Sequence, residues 1–396
     1  MISISRLLCD MAGPGDSLRY GKRIEHSSEE KGFVDIPHPV VVWNCTRQCN
    51  LQCIHCYASA NSQQFPGEMD TAAAERFIRD LANFGIPAIL FSGGEPLLRK
   101  DLLPLAGLAS GLGIRTTLST NGVLIDRKVA REISSAGFAE VGLSLDGSGT
   151  NNDRFRGQNG AFDKTLTGIR NCVSFGLRVS LRLTITRFNY HEIPSIFQLV
   201  EKESIDRVCF YHLAYSGRGH KLQQDDVTHL QTRAVLDTIC EHTLDLYRRG
   251  FKKEILTVGN HADGVYLYLK LKKTDSERAN RVVDLLRING GNNSGIRICA
   301  VDDAGNVHPD QFWWHYTLGN VCQRKFSDIW TDTSEPLLHK LRNRKELLKG
   351  RCSRCWYLDL CNGNLRVRAE AVYGDVWAED PACYLSDQEL GILNGW

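Results

Sequence analysis

Six short apolar segments, each followed by an amphipathic helical pattern, predict an α/β fold for this chain of 396 residues: a partial (β/α)6 TIM-type barrel, followed by a small cysteine-rich C-terminal domain. Residues 40–43, 88–91, 116–119, 141–145, 179–185 and 208–211 have the length and apolar continuity of parallel strands buried on both faces. Between them apolar residues recur at helical spacing. Phe77, Ile78, Leu81 and Phe84 share one face, as do Phe162, Leu166, Ile169 and Val173. Asp70 or Thr71 offers an N-cap, and Gly85, Gly113, Gly137 and Gly176 stand where the helices should end. Six alternations fall short of the eight of a complete TIM barrel, and in such barrels the chemistry sits in the loops after the strands.

Four consecutive segments are expected. Residues 1–38 form an N-terminal extension with a charged run at 29–31, 39–224 the barrel, and 225–298 a mainly helical connection with charged faces and a Gly/Asn-rich break at 290–295. Residues 299–396 hold six cysteines and few periodic segments, as expected of a domain held partly by metal. The 48 basic and 46 acidic residues leave a net charge of +2, which recommends neither a nucleic-acid nor a membrane-surface partner. No run approaches the roughly 18 apolar residues of a membrane span, and residues 1–23 lack the apolar core of a signal peptide. A cytoplasmic address is therefore expected, and fourteen cysteines in a long cytoplasmic chain point to metal or redox chemistry.

Their spacing sharpens this. Directly after the first strand, Cys45, Cys49, Cys53 and Cys56 lie on one loop at the catalytic end of the barrel, and thiolates suit iron–sulfur clusters or zinc. Cys45 falls at the strand end and is assigned to packing. After the second strand come Gly93, Gly94 and Glu95, where two glycines allow close approach to the backbone and a carboxylate could accept hydrogen bonds from an ammonium group. Ser119, Asn121, Ser144 and Asp146 lie at the ends of strands three and four.

The spacing of Cys49, Cys53 and Cys56 resembles the Cys-x3-Cys-x2-Cys signature of the radical S-adenosylmethionine (SAM) superfamily. The resemblance implies a 4Fe–4S cluster with one iron left open for SAM, and a low-potential external electron donor. It places the SAM amine at residues 93–95 and the ribose and adenine near Ser119, Asn121, Ser144 and Asp146. The superfamily usually has an aromatic residue just before the last cysteine. Here His55 stands there and Tyr57 follows the cysteine.

Cys352, Cys355, Cys361 and Cys383 form a second group, which by spacing alone suits a structural zinc or a cluster. The group resembles the SPASM extension of radical SAM enzymes, which implies a second, auxiliary 4Fe–4S cluster. The full pattern has a further cysteine four residues beyond the third, at the position of Leu365 here. Cys299 and Cys322 are accordingly expected to be unligated.

Residues 18–21, 91–97, 306–316, 318–321 and 361–369 resemble the tetrapyrrole-tailoring radical SAM enzymes. This implies an iron-bearing modified tetrapyrrole as substrate. Two activities of that group compete: removal of two acetate side chains from 12,18-didecarboxysiroheme to give iron-coproporphyrin III in siroheme-dependent heme biosynthesis, or action on propionates of the same substrate in heme d1 biosynthesis. Residues 18–21 with Trp313 and Trp314 favour the first. A peptide-modifying SPASM enzyme is a further alternative, and a zinc-stabilised or electron-transfer scaffold a non-enzymatic one. A flat polycarboxylate calls for cations, aromatic walls and an iron ligand. Candidates are Arg154, Arg156, Arg182, Arg187, Arg218, Arg366 and Arg368; Trp313, Trp314 and Tyr316; and His212, His220, His308 and His315.

Overall fold

The computed structural model describes residues 1–21 and 38–392, so the charged run at 29–31 lies outside the described residues. In chain order the strands are β1 (Ile2–Ser3), β2 (Val40–Asn44), β3 (Ala88–Ser92), β4 (Arg115–Thr120), β5 (Glu140–Ser144), β6 (Val179–Ile185), β7 (Arg207–His212), β8 (Glu254–Val258), β9 (Ile298–Val301), β10 (Asn306–His308) and β11 (Gly319–Asn320). The described residues form two compact units: 38–227 with 294–342, and 1–21 with 228–293 and 343–392.

The first unit is the barrel. Its strands run β7-β6-β5-β4-β3-β2-β9-β10-β11, parallel from β7 through β9 and antiparallel in the last two pairings. All six expected strands are present. Their burial is not uniform, however: Leu90, Ser119, Ser144, Arg182, Thr184 and Tyr211 keep partial exposure because they line a cavity. Side chains that line a cavity stay partly exposed, and a cavity of this kind sets a few polar groups among apolar ones.

Helix Thr71–Phe84 follows the sequence closely. The Asp70 carboxylate accepts from the Ala73 N–H at 2.7 Å, Gly85 closes the helix in the left-handed conformation, and Phe77, Ile78 and Leu81 are buried. Helix Ala161–Ser174 departs from it. Its buried face is Ala161, Thr165, Gly168, Ile169 and Cys172, while Phe162, Leu166 and Val173 flank that face half-buried. Small residues win because the helix backbone lies against the loop after β4. A Cβ on Gly168 would stand 2.5 Å from the Gly122 carbonyl oxygen.

The second unit contains helices His229–Arg248, Ala262–Thr274 and Ser276–Asn289 and the segment that carries the second thiol group. Residues 1–21 form part of it instead of an irregular extension. β1 pairs antiparallel with β8, Ser3 caps helix Ile4–Cys9, and Ile2, Ile4 and Leu7 are fully buried. Two short helices and a two-residue strand are too brief to leave a period in the sequence. Residues 299–342, expected in the C-terminal domain, belong to the barrel unit, since β9 pairs with β2.

Gly168→Val is expected to lower stability by about 1–3 kcal/mol, because the new side chain meets backbone that cannot yield. Gly107→Ala, in helix Leu102–Gly111 with nothing within 4 Å of the added carbon, is expected to raise it by about 0.4–1 kcal/mol. Denaturant midpoints of the two variants check both signs; equal midpoints would show that the helix is not held against the loop.

Candidate functional site

The loop that follows β2 carries the first thiol group. Cys45 is fully buried, its N–H bonds the Ser92 carbonyl at 2.9 Å, and burial holds its thiol well above the ordinary range. It packs, as its place at the strand end suggests. Cys49, Cys53 and Cys56 line a cavity of about 1150 Å³, mouth included, at the C-terminal ends of the parallel strands. Burial pushes the Cys49 thiol up to about 12 and raises that of Cys53, so binding a metal through these sulfurs releases protons.

Three neighbouring segments hold this loop by its backbone. The Gly94 N–H donates to the Thr46 carbonyl at 2.7 Å and the Glu95 N–H to that of Gln48 at 2.8 Å. Added Cβ atoms on Gly93 and Gly94 would lie 2.3 Å from the Thr46 oxygen and 2.2 Å from the Gln48 oxygen. The glycines thus admit the cysteine loop itself, whereas the sequence suggested close approach of a ligand. On a second side, the Gln52 and Ile54 N–H groups donate to the carbonyls of Arg156 and Phe155, beside Gly157. On a third, Gly217 abuts the Cys56 and Tyr57 carbonyls, and Arg218 donates from its backbone to Cys56 O and from its guanidinium to Cys53 O and Ala60 O.

Gly93, Gly94, Ser119, Asn121, Ser144 and Asp146 all line the cavity with the thiols. Glu95 does not. Its carboxylate is fully buried behind the glycines, where it accepts from the Leu97 N–H (3.1 Å), the Thr120 hydroxyl (2.7 Å) and the Asn121 N–H (2.8 Å). Burial raises its pKa to about 7 against those three bonds. Asn121 in turn donates to the Asn50 side chain at 2.7 Å, so Glu95 reaches the cysteine loop through the β4 end.

Asp146 is the other buried carboxylate. It accepts from the Thr184 N–H at 2.7 Å, and Arg156 lies 2.6 Å away while also approaching the Cys53 sulfur at 3.6 Å. His55 brings Nε2 to 3.3 Å from Asp146. Burial lowers the imidazole pKa against the pull of Asp146, so this contact is made by a neutral ring, and its buried Nδ1 has no hydrogen-bond partner. Tyr57 and Phe312 form an edge-on pair with centroids 5.5 Å apart on the cavity wall, and Tyr211 lines it from β7.

Most of the residues proposed for the substrate are elsewhere. Trp313 is wholly buried, Trp314 bonds the Gln311 carbonyl and Tyr316 packs on Trp313, so Phe312 faces the cavity in their place. His308 is buried with Nδ1 at 2.6 Å from the Tyr316 carbonyl and Nε2 at 3.4 Å from Asp302; His220 is exposed; His212 lines the cavity. Arg187 pairs with Asp225 and Arg154 covers Phe188. Arg368 is spent on Asp380 and Arg366 on the Val376, Ala378 and Gly363 carbonyls, both in the other unit. Tyr57 and Phe312 were accessible to sequence reasoning only as neighbours of better-marked residues.

In the second unit Cys352, Cys355, Cys361 and Cys383 line a cavity of about 460 Å³, mouth included, walled by Ala262, Val265, Leu358, Leu385 and Leu390. Burial raises all four thiols, that of Cys383 to about 12. Gly291 lets the chain pass 2.2 Å, measured from its absent Cβ, beside the Cys361 carbonyl. Asp380, paired with Arg368, accepts from the Leu365 and Ala382 N–H groups at 2.9 Å and so orders the approach to Cys383. Leu365 is buried. Cys299 is buried on β9 and Cys322 is exposed, both in the barrel unit. Among the described residues no three His, Cys, Asp or Glu side chains converge on a point suited to one ion. A four-iron cubane instead takes its thiolates at separate irons.

Gly94→Ala is expected to push the cysteine loop outward and lower the iron content of anaerobically purified protein, with the second unit unaffected. Glu95→Gln keeps the shape but, in either orientation of the amide, turns a donor toward a backbone N–H, that of Asn121 or that of Leu97. It is expected to cost about 1–3 kcal/mol of stability, measured by denaturant titration.

The model of the "Radical SAM superfamily" matches residues 43–200. The chain is 52% identical over 395 residues to the Fe-coproporphyrin III synthase of Methanosarcina barkeri, covering 99% of each. It is 44% identical to the pre-heme d1 synthase of Dinoroseobacter shibae, covering 94% of this chain and 92% of that one. Among solved structures, Streptococcus suis SuiB bound to S-adenosylmethionine aligns with a TM-score of 0.70 at 19% identity, over 88% of this chain and 78% of SuiB. Native anSMEcpe with bound AdoMet and a peptide aligns at 0.68 and 19%, over 89% and 95%. At those identities the structures attest the fold alone. Glycine-cradled thiols at the mouth of a parallel barrel, joined to full-length sequence identity, place this chain in the radical SAM superfamily, in the group that contains Fe-coproporphyrin III synthase and pre-heme d1 synthase.

Proposed function

We propose that this protein is a radical SAM enzyme of heme biosynthesis that removes two acetate side chains from 12,18-didecarboxysiroheme, leaving iron-coproporphyrin III. The observation that carries the reading is the 52% identity, end to end, with the Fe-coproporphyrin III synthase of M. barkeri. A second reading, action on the propionates of the same substrate toward heme d1, rests on the 44% identity with pre-heme d1 synthase. The peptide reading has only the likeness of fold behind it.

Cys49, Cys53 and Cys56 would hold the catalytic 4Fe–4S cluster, with one iron left for SAM. Gly93, Gly94, Ser119, Asn121, Ser144 and Asp146 would receive SAM, and Glu95 would act behind them as a positioning residue. When bound, the cluster and SAM supply a radical able to take a hydrogen atom from an unactivated C–H bond. The chain's own part is to hold the substrate in register and keep water away from the reacting carbon, for which Tyr57, Tyr211 and Phe312 form an apolar wall. His212 is the candidate for the substrate's iron, as the histidine of the four that lines the cavity.

Cys352, Cys355, Cys361 and Cys383 would hold a second 4Fe–4S cluster, fully ligated by protein in an apolar cradle. A low-potential electron donor from outside the chain completes the requirement. Two thiol groups that serve as metal ligands suit a cytoplasmic setting, where thiols stay reduced.

Anaerobic protein is expected to carry about eight irons per chain, and Cys53→Ala or Cys355→Ala to remove about four each. Cys53→Ala should abolish SAM cleavage, while Cys355→Ala should leave the SAM-binding loop assembled. Full 5'-deoxyadenosine formation by Cys53→Ala would overturn the assignment of the first cluster, and an undiminished iron content in Cys355→Ala that of the second. With 12,18-didecarboxysiroheme, SAM and a strong reductant, mass spectrometry should show two acetate units lost and four propionates kept. Loss of two propionates would favour the heme d1 reading.

A further inference from the structure

Arg182 lines the cavity and, among the described residues, has no carboxylate partner. It projects from β6 among the cavity-lining residues, on a strand whose other neighbours there are Thr184 and, across to β7, Tyr211. On β5 the space beside its guanidinium is kept open by Gly142. A Cβ there would stand 2.4 Å from Nε and 2.5 Å from Cζ, so any other residue would displace the head group. One terminal nitrogen donates to the Ser119 hydroxyl, and the buried Nε has no hydrogen-bond partner. Among the described residues no carboxylate pairs with it. A half-buried guanidinium whose Nε is closed off from water and that meets one hydroxyl favours an anion able to accept two parallel N–H bonds.

The other arginines considered for the substrate do not share this property. Arg156 is neutralised by Asp146, and Arg218 is occupied by the Cys53 and Ala60 carbonyls. Arg187 has Asp225, Arg154 stacks on Phe188, and Arg366 and Arg368 are committed within the other unit. Two bound molecules could bring a carboxylate to Arg182: SAM and the tetrapyrrole. The amino-acid end of SAM belongs at the open iron, beside the cysteine loop, and the arginine that reaches that loop's sulfur is Arg156, at 3.6 Å from Cys53. Arg182 shares the Ser119 hydroxyl with the SAM side of the cavity and neighbours the aromatic Tyr211 on β7, whose phenol burial raises to about 12 and keeps neutral. A neutral aromatic wall with one unpaired guanidinium suits a flat macrocycle with a carboxylate at its edge.

We propose that Arg182 is the receptor for a side-chain carboxylate of the tetrapyrrole inside the barrel, and with it a determinant of which edge of the macrocycle faces the reacting centre. This rests on the tetrapyrrole reading above. The test is spectrophotometric titration of the anaerobic holoenzyme with 12,18-didecarboxysiroheme and, separately, with iron-coproporphyrin III, for wild type, Arg182→Gln and Arg182→Lys. SAM affinity is measured in parallel. Arg182→Gln should weaken binding of didecarboxysiroheme by roughly 30-fold, the low end of the loss when one partner of a hydrogen-bonded charge pair is removed, as suits a half-buried group, and Arg182→Lys should recover part of it. Equal weakening for iron-coproporphyrin III assigns the contact to a retained propionate; weakening for didecarboxysiroheme alone assigns it to an acetate. Undiminished tetrapyrrole binding by Arg182→Gln, or a loss of SAM affinity as large as the loss for the tetrapyrrole, overturns the proposal. Failure of the wild-type enzyme to bind either tetrapyrrole would overturn the functional reading instead.

Discussion

The contact on which the site depends is backbone against backbone, between the cysteine loop and three glycine-bearing turns. Thiols with three and two residues between them can meet one cluster only if the loop is curved and fixed, yet a loop this short has few hydrogen bonds of its own to give. Its carbonyls and N–H groups are satisfied by residues 93–95, 155–157 and 217–218. Each of those turns comes close because it lacks a Cβ where they touch. Stiffness at the thiols is thus borrowed from the ends of the parallel strands, the rigid part of the barrel.

Buried charge is distributed around that loop with a consistent logic. Glu95 is spent on the backbone of the β4 end and raised in pKa by its burial, so it acts by position. Asp146 neutralises Arg156 and receives the neutral ring of His55. These groups answer one another within the protein, as a low-dielectric site requires. Arg182 is the exception: among the described residues it meets the Ser119 hydroxyl and no carboxylate, and Gly142 leaves room for its head group.

The second thiol group obeys the same rule by other means. Its walls are apolar, and its order comes from the Asp380–Arg368 pair, which fixes the residues leading to Cys383, and from Gly291, which lets the chain cross beside Cys361. Leu365 fills, as a buried apolar residue, the position that would be a further ligand in the full SPASM pattern.

By itself the sequence determined the six parallel strands, the helix from residue 71 to 84 and the two thiol groups, because these depend on patterns local to a few residues: continuous apolar runs, a cap, a fixed cysteine spacing. It also marked Gly93, Gly94, Ser119, Asn121, Ser144 and Asp146, which do converge on one cavity. What only the tertiary structure decided involves partners distant in the chain. The sequence could not reveal that Glu95 turns away from the cavity, since Thr120 and Asn121 claim it from another strand. Nor could it show that Phe312 replaces Trp313 and Trp314 at the wall, or that six of seven candidate arginines are already occupied. An arginine's availability depends on which carboxylates and carbonyls lie within a few ångströms of it, and that is a property of the folded chain alone.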